Sequence, residues 1–230
     1  MIFITGDTHG QFDSVKTFCE RFETTKKDIL IILGDVGINY YGNKRDIKLK
    51  EELSNLPITL FCIKGNHENY AGNISSYREF DYMGGKVFIE QEYPNLIFAK
   101  DGEVYNINGK KTIVIGGAYS VDKHYRLSMG YKWFSDEQPS EKTKKYVEGQ
   151  LERENWEVDV VLSHTCPVSY EPIEWFLSFV DQDTVDKSTE KWLDAIEKRL
   201  TYKKWYCGHF HGEKTHNKLE FMFNTIKEFR

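Results

Sequence analysis

The sequence contains no uninterrupted apolar stretch of the ~20 residues needed to cross a bilayer. Its opening residues, Met1-Ile2-Phe3-Ile4, lack a basic leader and a small-residue cleavage site, so a cytoplasmic address is the default expectation. Cysteine is scarce and dispersed. Cys19, Cys62, Cys166 and Cys207 form no C-x-x-C pair, which argues against a disulfide framework or a thiolate zinc site and favours reduced, mostly buried thiols. No internal repeat, linker or low-complexity tract interrupts the chain, so residues 1–230 read as one domain. Excess positive charge is also missing. The net charge of −5 argues against nucleic-acid binding by bulk electrostatics. Nucleotide or nucleic-acid substrates stay open, because bound divalent cations would make a site locally positive.

Apolar residues at 40% and aromatics at 15% are enough to build a packed core. Residues 1–5, 28–33 and 58–63 are apolar runs that read as buried strands. Between them Phe12, Val15, Cys19 and Phe22, then Leu49, Leu53 and Leu56, recur at helical spacing. Successive strand–helix units with short, wholly apolar strands imply right-handed crossovers and a parallel core. From Lys86 onward the pattern changes. Asp101-Gly102 and Asn108-Gly109 separate short strands near 96–100, 103–107 and 111–116, which read as an antiparallel meander. Further on, 142–154 is a helix with Ser140 as cap, 158–162 a buried strand, and Trp192 to Leu200 a helix with Ser188 as candidate cap. Residues 204–207 form another strand, and 213–226 alternate as a closing hairpin.

Five strand ends terminate in residues able to bind metal: Asp7 and His9, Asp35, Asn66 and His67, His164, then His209 and His211. Ligands of open α/β sheets gather outside the carboxyl ends of strands, so the collection is well placed as well as chemically apt. Glycines at 6, 34, 65 and 208 precede four of the groups and permit sharp turns. A single such residue would be read as a cap or a core hydrogen-bonding group. Six aspartates and histidines on converging strand ends are not explained that way.

Gly6-Asp7-Thr8-His9-Gly10, Gly34-Asp35, Gly65-Asn66-His67-Glu68, His164 and Gly208-His209-Phe210-His211 together resemble the motif set of the calcineurin-like metallophosphoesterases. The resemblance runs nearly the length of the chain. It implies an α/β fold of four layers, α/β/β/α, with two mixed β-sheets flanked by helices. It also implies one metal ion on Asp7, His9, Asp35 and His211, and a second on Asp35, Asn66, His164 and His209, with Asp35 bridging. A carboxylate is the natural bridge between two dications, and a pair roughly 3.5–4 Å apart can polarise a phosphoryl oxygen while presenting a bridging hydroxide for in-line attack. Imidazole, carboxylate and amide oxygen suit Mn, Fe, Zn or Ni without choosing among them. By the same resemblance His67 is the general acid that protonates the leaving oxygen, and Glu68 supports the loop or orients a histidine.

The expected activity is thus hydrolysis of a phosphomonoester or phosphodiester, on a nucleotide-like or other small substrate. Serine/threonine protein phosphatases of this superfamily carry Asp-Arg-Gly soon after the second motif. Here Asp35 is followed by Val36-Gly37-Ile38-Asn39, without that arginine. A phosphoprotein phosphatase is the alternative enzyme reading, and a binding scaffold that has lost turnover is the alternative from another class. No ligand or acid is lost, as such a scaffold would require. Arg126 is the first candidate to replace the missing clamp, with Tyr125 and Trp133 near it to stack a planar group, and Arg45 and Arg78 as rivals. Residues 119–138 and 168–183 are aromatic and irregular. They read either as substrate-reading segments or as aromatic packing beneath surface loops. His124 and His216 fit no motif and read as solvated surface residues. Strand alternation would put Cys166 and Cys207 on the same side as the neighbouring histidines, where inert packing is the expected role. The oligomeric state is not readable.

Overall fold

The computed structural model describes residues 1–230. Strands β1 (Ile2–Thr5), β2 (Ile29–Ile32) and β3 (Thr59–Cys62) alternate with helices α1 (Asp13–Phe22) and α2 (Lys44–Ser54). The three strands pair in parallel, with Ile4 beside Ile31 and Ile31 beside Phe61. Their wholly apolar sequences follow from burial on both faces. Leu30, Ile32, Leu60 and Cys62 meet the helical layer, while Ile29, Ile31, Leu33 and Phe61 face a second sheet.

The first sheet is completed by a hairpin of β4 (Arg78–Tyr82) and β5 (Gly85–Ile89), then β6 (Leu96–Ala99), which lies parallel to β3. The second sheet contains β7 (Val104–Ile107), β8 (Lys110–Ile115), β9 (Val160–Ser163) and β10 (Lys204–Cys207). A short helix α3 (Lys123–Ser128) and helix α4 (Glu141–Arg153) separate β8 from β9, and helix α5 (Ser188–Glu197) separates β9 from β10. The hairpin β11 (Lys214–His216) and β12 (Leu219–Phe221) extends this sheet, whereas β13 (Lys227–Glu228) crosses back to pair with β1.

The order β13-β1-β2-β3-β6-β5-β4 packs against β11-β12-β10-β9-β8-β7, and both sheets are mixed. Ile4, Phe61, Val114, Leu162 and Tyr206 fill the space between them. On the outer side of the second sheet, Val147 and Leu151 of α4 and Leu193 and Ile196 of α5 cover Ile113, Val161 and Trp205. The result is the expected α/β/β/α sandwich. No helix is long and apolar enough to cross a membrane.

Several local expectations need correction. The meander over 96–116 is not one unit. Only β7 and β8 pair with each other, because Asp101-Gly102 carries the chain from one sheet to the other instead of closing a hairpin. Asp101 is buried there, and its Oδ1 accepts from the Gly116 amide at 2.8 Å, locking the crossover. Ser140 does cap α4, accepting from Thr143 N at 3.1 Å. Ser188 instead is the first residue of α5, and the Asp186 carboxylate receives its amide at 3.0 Å. Cys166 and Cys207 lie in the outer apolar layer beside Leu193 and Trp205. Alternation cannot be carried past the end of β10, where Gly208 turns the chain. Burial pushes both thiols well above their ordinary pKa, which leaves them inert.

Candidate metal centre

All the motif residues follow the C-terminal ends of parallel strands, three from the first sheet and two from the second. The gap between the two sheets opens at that end, and the side chains meet across it. The backbone is bent to aim them. His9, Asp35, His209 and His211 all have positive φ, at 47°, 47°, 68° and 49°. Left-handed backbone is rare for residues with a Cβ and concentrates where geometry is functional. At Gly208 a Cβ would collide with Asp7 Oδ1, so only glycine lets the two sheets close here.

His9 Nε2 lies 2.8 Å from His211 Nε2, and His211 Nε2 lies 3.3 Å from Asp7 Oδ2. Asp7 Oδ1 accepts the His209 amide at 3.0 Å, while its buried Oδ2 has no hydrogen-bond partner. On the other side, His164 Nδ1 bonds the Leu33 carbonyl at 2.7 Å and therefore carries a hydrogen. Its Nε2 sits 2.7 Å from Asn66 Oδ1 and 3.6 Å from Asp35 Oδ1. The Asn66 amide nitrogen donates to Ser120 Oγ at 2.9 Å, and Ser120 Oγ donates to Glu137, which also receives Trp133 Nε1 at 2.7 Å. That chain assigns Asn66 Oδ1 as the atom facing His164. The ring Nε2 and an amide oxygen thus face each other in a buried space, an approach that a shared cation or a second ring proton satisfies. A cation coordinated by both would serve this pair, and one beside Asp7, His9 and His211 would satisfy the orphaned Asp7 oxygen.

Two groups of side chains have ligand atoms close enough to share an ion: Asp7 with His9 and His211, and Asp7 with Asp35 and His164. By distance alone Asp7 belongs to both. Asp35 turns its two oxygens to different histidines, Oδ2 toward His9 at 3.9 Å and Oδ1 toward His164 at 3.6 Å. Burial opposes its ionisation, but His164, His67 and His9 outweigh that and hold its carboxyl below the usual range. Burial, reinforced by His164, pushes His209 well below its ordinary pKa, so its ring is neutral and free to bind metal. The Asp7 carboxylate, 3.3 Å away, raises His211 despite partial burial. Oxygen and imidazole donors in this mixture fit first-row divalent cations.

His67 reaches the same space from the loop after β3. Its amide bonds Asp35 Oδ1 at 2.8 Å and its Nε2 lies 3.9 Å from Asp35 Oδ2. Burial lowers its pKa, Asp35 opposes this, and Arg126 adds to the lowering. Glu68 ties two loops together through backbone amides. It accepts from the amides of Val36 at 3.1 Å, Gly37 at 3.2 Å and Gly65 at 3.0 Å. Burial, with Asp35 close by, raises it to about 7.

Arg126 projects from α3 to the rim, with Nη2 3.5 Å from His67 Nε2, Nε 2.8 Å from Asp122 and Nη1 3.3 Å from the Tyr40 hydroxyl. Its rivals do not reach the site. Arg78 bonds the carbonyls of Ser75 and Tyr77, and Arg45 lies 4.9 Å over the Tyr41 ring. Tyr125 is 57% exposed and packs edge-on to Tyr131. Trp133 is not free for stacking, because Lys123 covers its face at 4.0 Å. His124 and His216 are exposed. The segment 168–187, a chain of single 3₁₀ turns, forms one wall of a cleft of about 550 Å³ whose other wall is Asp35, Asn66, His67, His209 and His211.

The sequence reading missed Ser120, Glu137 and Glu190. Ser120 and Glu137 lie in irregular segments without a motif. Glu190 stands in the first turn of α5, where an acid ordinarily serves the helix dipole.

No curated protein sequence matches the chain significantly. Among solved structures, one crystal structure superposes with a TM-score of 0.50 at 16% identity, covering 96% of this chain and 88% of its own. The crystal structure of TT1561 of Thermus thermophilus superposes with a TM-score of 0.51 at 13% identity, covering 96% and 87%. At these identities the likeness is one of fold. The profile of the calcineurin-like phosphoesterases matches residues 1–213, so the chain belongs to that family of metal-dependent phosphoester hydrolases.

Proposed function

We propose that the protein hydrolyses small phosphate esters with two divalent ions, one held by Asp7, His9, Asp35 and His211 and the other by Asp35, Asn66, His164 and His209. The observation that carries this reading is the buried pairing of His164 Nε2 with Asn66 Oδ1 at 2.7 Å, two acceptors that only a cation or an extra proton reconciles. When bound, such ions supply Lewis acidity toward phosphoryl oxygens and a water ionised near neutral pH. The chain's own residues do the rest. Asp35 offers one oxygen to each side of the cluster. Ser120 and Glu137 hold the Asn66 amide in one orientation. Arg126 and His67 lie side by side, so an oxygen of the substrate seated against the pair accepts from both. His67, directly beyond the ligand Asn66 and lining the cleft, is the group that protonates the leaving oxygen.

The cleft holds a small ester. The net charge of −5 gives no basis for tracking a nucleic-acid backbone, and a phosphate monoester or diester of a small alcohol is the favoured substrate. Hydrolysis of nitrophenyl phosphate and bis-nitrophenyl phosphate is measured before chelation, after chelation, and after returning manganese, iron, zinc or nickel. Activity that disappears with the metal and returns with it is expected; undiminished activity in metal-free protein overturns the reading.

A further inference from the structure

Beyond the metal ligands, the cleft continues along an apolar wall of Trp175, Phe176, Leu177, Val180 and Phe210. This wall is built rather than incidental. Trp175 packs on Gly212, where a Cβ would collide with its ring, and lies 5.5 Å edge-on to Phe221. Phe176 stacks on Phe210 at 6.4 Å, directly between the ligands His209 and His211. The wall is therefore anchored to the same turn that carries the metal centre. His67 lines the same cleft, so the wall faces the side on which the leaving group departs.

One polar side chain is set into this apolar lining. Glu190 is only 5% exposed. Its Oε1 accepts from Thr165 Oγ1 at 2.8 Å, and its Oε2 has no partner at all. The nearby cation does not serve it, because Lys187 is committed to Glu171 at 2.7 Å and lies over the Phe176 ring at 4.8 Å. A buried carboxylate oxygen without a donor is costly and calls for a donor that the chain itself does not supply. The charge balance is equally selective. Past the metal ligands the lining carries Asp122, Glu171 and Glu190 against the single Lys187. Asp122 is paired with Arg126 and Glu171 with Lys187, so no cation is left to receive a second phosphate.

We propose that this cleft seats the organic group of the substrate, and that Glu190 accepts a hydrogen bond from a hydroxyl or amino group on it. The substrate class is a phosphate ester of a flat or apolar alcohol bearing one distal O–H or N–H donor and no second anionic group. This rests on the phosphoesterase reading for the placement of the phosphate, and it adds what the rest of the molecule must be. Glu190 is a specificity-determining residue that touches the organic group rather than the reacting atoms.

Binding and turnover separate the two claims. At about pH 8, where Glu190 is ionised, manganese-loaded protein is titrated calorimetrically with naphthylmethylphosphonate, with its isomers carrying one distal hydroxymethyl group, and with an analogue carrying a distal second phosphonate. The matching naphthyl phosphates are assayed for hydrolysis. At least one hydroxymethyl isomer should bind roughly tenfold or more tighter than the parent, as a hydrogen bond to a charged acceptor allows, and the doubly anionic analogue should bind more weakly. Glu190→Ala should erase the hydroxymethyl advantage. Glu190→Gln, which keeps an oxygen for Thr165 and hence the local fold, should reduce it. Val180→Trp should weaken the naphthyl series relative to methylphosphonate. Equal affinities across the isomers, or an advantage that survives Glu190→Ala in folded protein, overturns the subsite. Glu190-dependent binding without hydrolysis of any ester leaves the subsite standing and removes the phosphoesterase reading. Hydrolysis without Glu190-dependent preference does the reverse.

Discussion

Arg126 Nη2 stands 3.5 Å from His67 Nε2, and the same guanidinium is held from behind by Asp122 at 2.8 Å. A guanidinium cannot accept, so in this arrangement the imidazole turns a lone pair toward it. An oxyanion seated against the pair meets a fixed donor in Arg126 and a titratable one in His67. The two residues thus divide phosphate binding from proton delivery, and they can be tested apart.

His67→Ala should leave metal content nearly intact, because the ring is not among the proposed ligands. Its effect should follow the leaving group. Nitrophenolate departs without a proton, whereas an alkoxide needs one, so alkyl esters should lose roughly 10²–10⁴-fold in kcat and nitrophenyl esters far less. Equal losses on both substrates would assign His67 to phosphate positioning.

Arg126→Lys keeps the charge and loses the planar fork that spans Asp122, Tyr40 and His67. We expect kcat/KM to fall roughly 10–100-fold, the value of hydrogen bonds to a charged group, with metal content unchanged. A lysine variant with wild-type kinetics on every ester would return Arg126 to a structural ion pair with Asp122.

Asp35→Asn should be the most damaging carboxylate change. Asp35 presents Oδ1 to His164 at 3.6 Å and Oδ2 to His9 at 3.9 Å, so its loss affects both ions. Asp7→Asn should lower the occupancy of one ion more than the other. Elemental analysis of the purified variants checks the order, and equal metal loss in the two would argue against Asp35 as the bridge.

The strand-end motifs were legible because each is a local signal, a buried strand followed, in four of the five, by glycine and a residue able to bind metal. The sandwich followed from the resemblance and from strands apolar on both faces, such as Ile29 to Ile32. What could not be read depends on the way the second half folds back. The Asp101 crossover looked like a hairpin turn, since Asp-Gly has the same local preference in both settings. Arg126 was identifiable only as a missing function looking for a residue. Ser120, Glu137 and Glu190 act through contacts with Asn66, Trp133 and Thr165 that no local pattern announces.

Ser120→Ala removes the acceptor that orients the Asn66 amide. The fold should tolerate the change, and metal affinity or turnover should drop about 10–100-fold, the usual effect of losing an outer partner of a ligand. A variant that binds metal as tightly as the parent would show that Asn66 is held by its loop alone.

Glu190 gives a pH signature in stability. Burial pushes it up to about 7 from an ordinary 4.5; its own backbone amide, the Thr165 bond and Lys187 pull it down, and Glu171 adds to the rise. Between those values the folded state holds a proton that the unfolded state has released, so stability falls as pH rises through this window. The ceiling on this contribution is about 3 kcal/mol. Glu190→Gln should therefore be more stable than the parent above about pH 7 and lose its advantage toward about pH 5. Glu68, also raised to about 7, keeps a slope of the same sign in the variant. Urea unfolding across this range measures the difference, and parallel curves for the two proteins would contradict it.

The left-handed backbone at His9, Asp35, His209 and His211 has a consequence for the whole molecule. Each such residue costs roughly 1–2 kcal/mol, so four together reach on the order of 4–8 kcal/mol, a large fraction of the stability of an ordinary domain. Ions that bind only the folded chain add stability in proportion to the logarithm of their concentration over Kd. The melting temperature of this protein is therefore set in part at its mouth, and heat resistance reports whether the ions are in place as much as how well the core is packed.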